Sequence, residues 1–188
     1  MIKKSKIATI LPYKENYTFS KAQAAAIWVN DFFKFSKFKN ENFIFGNTNS
    51  KDFLTKNYIN VSLRKKKSRL SSTSIEYCDN FLRLEPKYDF DIIEIHNRPL
   101  IFNYLHNKIK KKFILYFHND PLSMKGSISK TERLDLLNKV SKIIFVSKWV
   151  QKRFFSGLDQ KLLNKTEVVY PSINQVKKLP KKNKWIKF

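Results

Sequence analysis

The sequence contains very little of several residue types that common classes of protein need. Only 3 of its 188 residues are glycine, and it has no glycine-rich phosphate-binding loop and no nucleophile-elbow motif. Its single cysteine, Cys78, excludes an internal disulfide and gives no pattern of metal ligands. This cysteine usage is typical of a reducing compartment, and we expect a cytoplasmic protein.

Long hydrophobic runs and acidic residues are also scarce. No apolar run approaches the roughly 20 residues that a membrane-spanning helix needs, and the stretch 7–11 is too short for a signal peptide. The chain has 38 Lys and Arg against 15 Asp and Glu, which gives a formal net charge of +23. That excess favours an anionic partner, namely nucleic acid, an acidic membrane or a phosphorylated ligand. A solvated surface enriched in lysine by drift in residue usage explains the charge equally well.

Apolar segments and helical segments alternate along the chain. Hydrophobic residues make up 42 % of the sequence and aromatic residues 15 %, which is typical of a folded globular domain. Strands are predicted at 7–11, 43–45, 58–63, 92–95, 113–117, 143–146 and 167–170. These strands are apolar without two-residue alternation, so both of their faces are expected to be buried. We therefore predict the α/β class, with a Rossmann-like, doubly wound parallel sheet.

Helix starts are predicted from local capping signals. In a capping box, Ser or Thr is followed three residues later by Glu or Gln. We predict capping boxes at Ser20 with Gln23, Thr73 with Glu76, and Ser129 with Glu132. The spacing of apolar residues also predicts the inner face of the first helix. That face would consist of Ala24, Trp28, Phe32 and Phe35.

Two of the predicted strands end in the same kind of polar cluster. The segments DIIEIHNRP (91–99) and FILYFHNDP (113–121) both run from an apolar strand into His-Asn-x-Pro. Ligands of open parallel sheets bind outside the carboxyl ends of the strands. If these two strands are neighbours, about 4.8 Å apart, His96 and His118 would line one crevice. The predicted site residues from the two clusters are His96, Asn97, Arg98, His118, Asn119 and Asp120.

Other strand ends contribute further candidates. The loop after the first strand supplies Glu15, Asn16, Thr18 and Phe19, and Ser147 follows the strand 143–146. Helix N-termini at this edge of the sheet would present free N–H groups to an anion such as a phosphate. Glu15 has a simpler interpretation as a solvent-facing loop residue, and Ser147 as a helix N-cap.

Arg98 and the histidines need separate interpretation. Arg98 is predicted at the start of a helix that opens with Pro99, where the helix dipole disfavours a cation. Either an anionic ligand or a carboxylate, from Glu94 or Asp120, would offset that effect. His106 is interpreted as structural because it lies within a predicted helix. The spacing of the three histidines fits no compact zinc site, so no metal is expected.

Five segments, in order and spacing, resemble the N-terminal domain of a GT-B glycosyltransferase of glycosyltransferase family 4. They are ILPYKENYTFSKAQAAAIWVNDF, DIIEIHNRP, FILYFHNDP, KIIFVSKWVQKRF and EVVYPSIN, and they span most of residues 7–174. The resemblance is to members that build lipopolysaccharide core and other surface polysaccharides. It implies metal-independent, retaining transfer of a sugar from a nucleotide sugar to a glycan or lipid-linked acceptor, without a cofactor.

The resemblance also implies roles for individual residues. His118 matches the active-site histidine that sits close to the transferred sugar, and loop 15–19 matches the loop that approaches the donor phosphates and the acceptor. Many family members carry a Gly-Gly pair in that loop, whereas this chain does not. The absence weakens the expectation that the backbone of this loop approaches a phosphate closely.

The resemblance assigns this chain to one half of a two-domain enzyme. Residues 1–176 would form the acceptor-side domain, and 177–188 a basic linker with the start of a donor-binding domain. The chain alone would then be inactive, and its basic surface could contact an anionic membrane leaflet. The alternative is a non-catalytic basic module that binds nucleic acid, membrane or a partner protein. Nucleic acid is disfavoured because the aromatic residues occupy predicted core positions.

Overall fold

Strands and helices alternate along the chain as predicted. The structure, a computed structural model, describes residues 5–63 and 72–171, so the predicted linker 177–188 lies outside the described residues. The elements are β1 (Ile7–Ile10), α1 (Ala24–Phe35), β2 (Asn42–Gly46), β3 (Tyr58–Asn60), α2 (Thr73–Tyr88), β4 (Ile92–His96), α3 (Pro99–His106), β5 (Lys112–Phe117), α4 (Lys130–Lys139), β6 (Lys142–Phe145), α5 (Lys148–Phe154) and β7 (Thr166–Val168). Within these ranges no helix has the length and apolar character needed to cross a membrane.

The strands form one parallel sheet in the order β3-β2-β1-β4-β5-β6-β7. The chain first builds outward from β1 to β3, then returns to place β4 on the other side of β1. The order therefore reverses between β1 and β4, which is the switch point where ligands of such sheets bind. The prediction of a doubly wound parallel α/β sheet is confirmed.

The two faces of the sheet are covered unequally. Helices α2 to α5 pack on one face and bury a large cluster that includes Phe81, Phe102 and Phe154. A second buried cluster lies on the other face of the sheet. Of the helices in the described ranges, only α1 contributes to it, through Trp28 and Val29. Among residues 5–63 and 72–171 this one helix covers the second face only in part, and the cavities described below lie beside it.

Only one of the three predicted capping boxes forms. Ser129 and Glu132 exchange their hydrogen bonds at the start of α4, which confirms that prediction. The box at Ser20 is wrong because α1 begins at Ala24, and the Ser20 amide donates to Asp52 instead. The box at Thr73 is also wrong. Residue 73 is already helical, and the N-cap, Ser72, makes no side-chain capping bond.

The predicted inner face of α1 is wrong for three of its four residues. Trp28 is buried, but Ala24, Phe32 and Phe35 are exposed, and Ala25, Ala26 and Val29 are buried in their place. Phe32 stacks on Trp28 with ring centroids 4.0 Å apart. With Trp28 packed against the rings at the strand ends, Phe32 borders both cavities instead of lying in the core.

Candidate functional site

The two histidines that end neighbouring strands are hydrogen-bonded to each other. His96 is the last residue of β4, His118 directly follows β5, and β4 pairs with β5. The Nδ1 atom of His96 lies 2.8 Å from Nε2 of His118. His96 is fully buried and His118 is partly exposed. The structure therefore brings together the two side chains that the repeated His-Asn-x-Pro pattern singled out.

Burial keeps this histidine pair uncharged. It lowers the pKa of His118 to about 4, and it lowers the pKa of His96 well below the usual value, with a smaller contribution from His118. Two neutral rings share one proton across their hydrogen bond, so each has one nitrogen left over. For His96 this is Nε2, which is buried and has no protein partner among the described residues. For His118 it is Nδ1, which remains for a ligand.

Aromatic rings surround the pair and fix its orientation. The ring of Tyr116 stacks on His96 with centroids 4.4 Å apart and an interplanar angle of 7°. Trp28 from α1 meets His96 and His118 edge-on, at centroid distances of 5.7 and 5.0 Å. Edge-to-face contacts of this kind are favourable for aromatic pairs. The sequence predicted that Trp28 is buried, but nothing local in the sequence connected it with the histidines.

Asn97 holds the ends of β4 and β5 together. Its Oδ1 accepts hydrogen bonds from the backbone amides of His118 (2.7 Å) and Asn119 (3.4 Å). The backbone N–H of Asn97 donates to the backbone carbonyl of Tyr116. Asn97 adopts φ of +53°, a left-handed conformation that asparagine tolerates better than most residues. Its observed role is thus to position the backbone that carries His118.

A cavity of about 380 Å³, here called the outer cavity, opens beside His118. It lies between α1 and the carboxyl edge of the sheet, and α1 supplies its apolar wall. The lining residues are Ala24, Ile27, Trp28, Asp31, Phe32, His118, Asn119, Val146 and Pro171. Of the predicted site residues, His118 and Asn119 line it.

A second cavity of about 240 Å³, here called the inner cavity, lies between α1 and the middle of the sheet. Its polar lining consists chiefly of Thr9, Asn42, Glu94, His96 and Tyr116, and much of the remainder is aromatic. Trp28 and Phe32 line both cavities and therefore form the wall between them. His96 lines the inner cavity and His118 lines the outer one, so the prediction that both histidines line one crevice is wrong.

Glu94 is a partly exposed carboxyl that lines the inner cavity. Tyr116 donates to its Oε1 at 3.2 Å, and the hydroxyl of Thr9 lies 2.8 Å from its Oε2. Burial raises the pKa of Glu94, while these hydrogen bonds lower it by less. Sequence reasoning considered Glu94 only as a partner for Arg98. The signal that it missed is a single acidic residue inside an otherwise apolar strand.

Neither carboxylate proposed for Arg98 contacts it. Arg98 donates to the carbonyl of Asn97 at 2.9 Å. Asp120 instead binds Arg153 through both oxygens, with the shortest distance 2.8 Å, and caps a short 3-10 helix at Leu122. Within residues 5–63 and 72–171 Arg98 forms no ion pair. The carboxylate explanation for Arg98 is therefore wrong, and the anionic-ligand explanation stays a prediction.

The loop after β1 makes hydrogen bonds to other parts of the chain, and its four candidate residues do not line either cavity. Glu15 accepts from the Ala26 amide at 3.0 Å, so a carboxylate already occupies the N-terminus of α1. Asn16 accepts from Thr48, Thr18 is buried, and Phe19 is 73 % exposed. The expected anion site at the start of α1 is thus filled by the protein's own carboxylate. A ligand role for these four residues stays a prediction.

Ser147 caps α5 by accepting from the Val150 amide at 3.2 Å, as predicted. It does not line the outer cavity, although its neighbour Val146 does. Among the described residues no group of three or more His, Cys, Asp or Glu side chains is arranged to hold a metal ion.

Comparisons with known proteins agree with this fold at low sequence identity. No family model and no curated protein matches the chain. Sucrose-phosphate synthase from Thermosynechococcus elongatus superposes with a TM-score of 0.58 at 11% identity, covering 88% of this chain and 48% of its own. HepE from Anabaena, in complex with UDP-glucose, superposes with a TM-score of 0.56 at 17% identity, and the match covers 89% of this chain and 44% of HepE. UDP-N-acetylglucosamine 2-epimerase from Rickettsia bellii superposes with a TM-score of 0.51 at 10% identity, and the match covers 87% of this chain and 44% of the epimerase.

The chain spans about half the length of these three structures. At such identities the likeness establishes the fold and not the activity. The protein thus has an α/β, Rossmann-like, doubly wound parallel fold that matches one half of a GT-B architecture.

Proposed function

We propose that this chain is the acceptor-side half of a retaining glycosyltransferase of the family 4 type. The enzyme would transfer a sugar from a nucleotide sugar to a glycan or lipid-linked acceptor in cell-envelope polysaccharide synthesis. One observation carries the proposal. His118 borders the outer cavity at the carboxyl edge of the sheet, with one ring nitrogen bound to His96 and the other available. The likeness to HepE, whose structures hold UDP and UDP-glucose, supports it.

In this proposal the neutral ring of His118 hydrogen-bonds a hydroxyl of the sugar in the outer cavity. A neutral imidazole can donate or accept a hydrogen bond without the desolvation penalty of a charged group. The apolar wall formed by Ile27, Trp28 and Phe32 suits the C–H faces of sugar rings. Asn119, at the rim, would supply polar contacts.

The departing diphosphate carries the negative charge that develops in the reaction. We assign its stabilisation to Arg98, which has no carboxylate partner in the described part of the chain, and to helix N-termini at this edge. Cationic and backbone groups of this kind allow transfer without a bound metal. The loop residues Glu15, Asn16, Thr18 and Phe19 would have to move to reach a ligand, because their present contacts lie away from both cavities.

We also propose a cytoplasmic location with peripheral contact to an anionic leaflet. Trp149 is 58 % exposed on α5, between Lys148 and Lys152, and Arg153 lies 5.9 Å from its ring. Each cation near such a surface contributes about 1 kcal/mol. Co-sedimentation with phosphatidylglycerol vesicles should fall in Trp149→Ser and Lys152→Glu. Neutral phosphatidylcholine vesicles should not retain the protein, and equal retention by both lipids would contradict this location.

The first experiment maps ligands onto the chain itself. Amide spectra of the ¹⁵N-labelled chain would be recorded with UDP-glucose, UDP-N-acetylglucosamine and neutral oligosaccharides in turn. We expect an acceptor oligosaccharide to perturb the amides of His118 and Asn119, with the amide of His106 in α3 as the unperturbed reference. Strongly salt-dependent binding of random DNA, with no glycan effect at His118, would support the nucleic-acid alternative instead.

The second experiment measures sugar transfer. The purified chain is expected to transfer no sugar, whereas the protein encoded by the uninterrupted reading frame around this segment is expected to do so. Transfer by the chain alone would refute its assignment as one half of an enzyme. Absence of transfer by the longer protein, for every donor and acceptor that perturbs His118, would overturn the proposed function.

A further inference from the structure

The hydrogen bond between the two histidines joins a residue of the inner cavity to a residue of the outer cavity. His96 lines the inner cavity and His118 lines the outer one, while Trp28 and Phe32 line both. His96 Nε2 is buried and has no protein partner among the described residues. A buried ring nitrogen without a partner is costly, and water in a polar cavity is the usual way in which it is satisfied. The pair therefore connects two separate spaces through one 2.8 Å bond.

We propose that His118, His96 and Glu94 form a proton relay that moves a proton between a ligand hydroxyl in the outer cavity and the Glu94 carboxyl in the inner cavity. His118 contacts the ligand directly, whereas His96 and Glu94 act on the ligand only through His118. The identity of that hydroxyl as the sugar acceptor's rests on the proposed function, but the relay itself does not.

The relay has two tautomeric states. In the first, His96 Nδ1 carries the shared proton, so His118 presents Nδ1–H to the outer cavity and His96 Nε2 is bare. In the second, His118 Nε2 carries the proton, so His118 Nδ1 is bare and His96 presents Nε2–H to the inner cavity. Both states preserve the observed contact between His96 Nδ1 and His118 Nε2.

Passage from the second state to the first transfers one proton. The ligand O–H bond breaks and its proton joins His118 Nδ1, while the Nε2 proton of His118 moves to His96 Nδ1. The Nε2 proton of His96 then passes through cavity water to the ionised Glu94 carboxylate. The ligand oxygen gains one negative charge and Glu94 loses one, so protons and charge balance without a further reactant.

The hydrogen bonds of Glu94 fit a group that exists in two protonation states. The Thr9 hydroxyl lies 2.8 Å from Glu94 Oε2 and 3.0 Å from Asn42 Oδ1, but it has a single hydrogen to donate. If Glu94 is protonated, it donates to Thr9, and Thr9 donates to Asn42. If Glu94 is ionised, Thr9 turns its hydrogen to the carboxylate. Thr9 therefore accommodates either form by rotating its hydroxyl.

The inner cavity has room for the water that the relay needs. Glu94 and His96 are two residues apart on β4, so their side chains leave the same face about 7 Å apart. A water molecule occupies about 30 Å³ in the liquid, and the cavity volume is about 240 Å³. Both side chains line that cavity, and a small movement of the buried His96 ring would let a short water bridge join its Nε2 to Glu94.

Few other charged groups face this relay from the surrounding elements. Helix α1 contributes Asp31 at the outer cavity, where it is 3.9 Å from Lys34. Strand β5 contributes Tyr116, whose pKa is raised mainly by burial and to a smaller extent by the charges of Glu94 and of Glu167 on β7. The contacts from β1 and β2, Thr9 and Asn42, are uncharged. Glu94 is therefore the titratable carboxyl of the inner cavity within residues 5–63 and 72–171.

Nuclear magnetic resonance of the histidine side chains tests the relay without any substrate. The sequence has 3 histidines, so long-range ¹H–¹⁵N spectra of the ¹⁵N-histidine-labelled chain report each tautomer, with His106 as the internal reference. As the pH rises through the titration of Glu94, His118 should change from the Nδ1–H to the Nε2–H tautomer. The change should occur at a higher pH than the protonation of His118 itself.

Two variants decide the assignment. Glu94→Gln keeps an acceptor for Tyr116 and gains a donor for Thr9, so it should fold and should lose the tautomer change. Asp31→Asn removes a carboxylate from the outer cavity and should keep it. A tautomer of His118 that does not respond to pH in the wild type, or that responds equally in Glu94→Gln, would overturn the relay. Neither outcome depends on sugar transfer, so failure of the relay leaves the proposed function standing, and the reverse also holds.

Discussion

His96 Nδ1 and His118 Nε2 lie 2.8 Å apart, although the two residues are separated by 22 positions, a helix and two loops. The bond forms because β4 and β5 are adjacent parallel strands that end at the same edge of the sheet. Each ring satisfies one nitrogen of the other, so a change in one histidine also changes the environment of the other.

Substitution of His118 should lower activity strongly and preserve the fold. In the protein encoded by the uninterrupted reading frame, His118→Ala should lower turnover by about 10²-fold or more, the scale of a lost catalytic histidine. It leaves His96 Nδ1 unpaired, which should lower the free energy of unfolding by about 1–3 kcal/mol. Circular dichroism and urea unfolding check the fold. His106→Ala is the control, and turnover of His118→Ala near that of the control would refute the site assignment.

The histidine pair should make stability depend on pH between about pH 4 and 6.5. Burial lowers the pKa of His118 to about 4, so between this value and the unfolded value of about 6.5 the unfolded chain binds more protons. Stability is therefore complete above pH 6.5 and falls as the pH drops toward 4. His118 alone accounts for a loss of about 3 kcal/mol, at about 1.4 kcal/mol per pKa unit.

Urea unfolding at several pH values measures this effect. Glu94 acts in the opposite sense, because its pKa is raised and its contribution to stability falls as the pH rises. The measurement should therefore be repeated in Glu94→Gln, where the slope between pH 4 and 6.5 should persist. In His118→Gln that slope should shrink, while His106→Gln should keep it. An unchanged slope in His118→Gln would contradict the prediction.

Glu15, and not Ser20, should stabilise the start of α1. Glu15 accepts from the Ala26 amide at 3.0 Å, whereas Ser20 lies outside the helix. Glu15→Ala should lower the free energy of unfolding by about 1 kcal/mol, the usual value of a lost helix cap. Ser20→Ala should change it by less than about 0.5 kcal/mol. The reverse order of the two effects in urea unfolding would show that the local capping box forms in solution.

Two substitutions at Asn97 should separate its backbone from its side chain. Asn97→Gly tolerates the φ of +53° but loses the oxygen that accepts from His118 and Asn119, which should remove about 1–2 kcal/mol of stability. Asn97→Ala loses that oxygen and also strains the left-handed backbone, so it should remove about 1 kcal/mol more. Equal unfolding free energies for the two variants would show that the backbone conformation carries no strain.

Several features of the site could be predicted from local sequence. His96 and His118 were identified because each follows an apolar strand, and chain direction alone places such residues at the carboxyl edge of a parallel sheet. The cap at Ser129 was also correct, because a capping box depends on residues only three positions apart. Glu94 and Trp28 were not identified as parts of the site, since their neighbours there lie on other elements.

The sequence by itself determined the alternation of strands and helices, because apolar runs and helical periodicity are local properties that burial of both sheet faces requires. Tertiary structure alone decided the strand order that joins His96 to His118, the packing of α1 that places Phe32 beside the cavities, and the capture of the α1 N-terminus by Glu15. These three features depend on contacts between residues distant in sequence, whose relative energies no local pattern encodes.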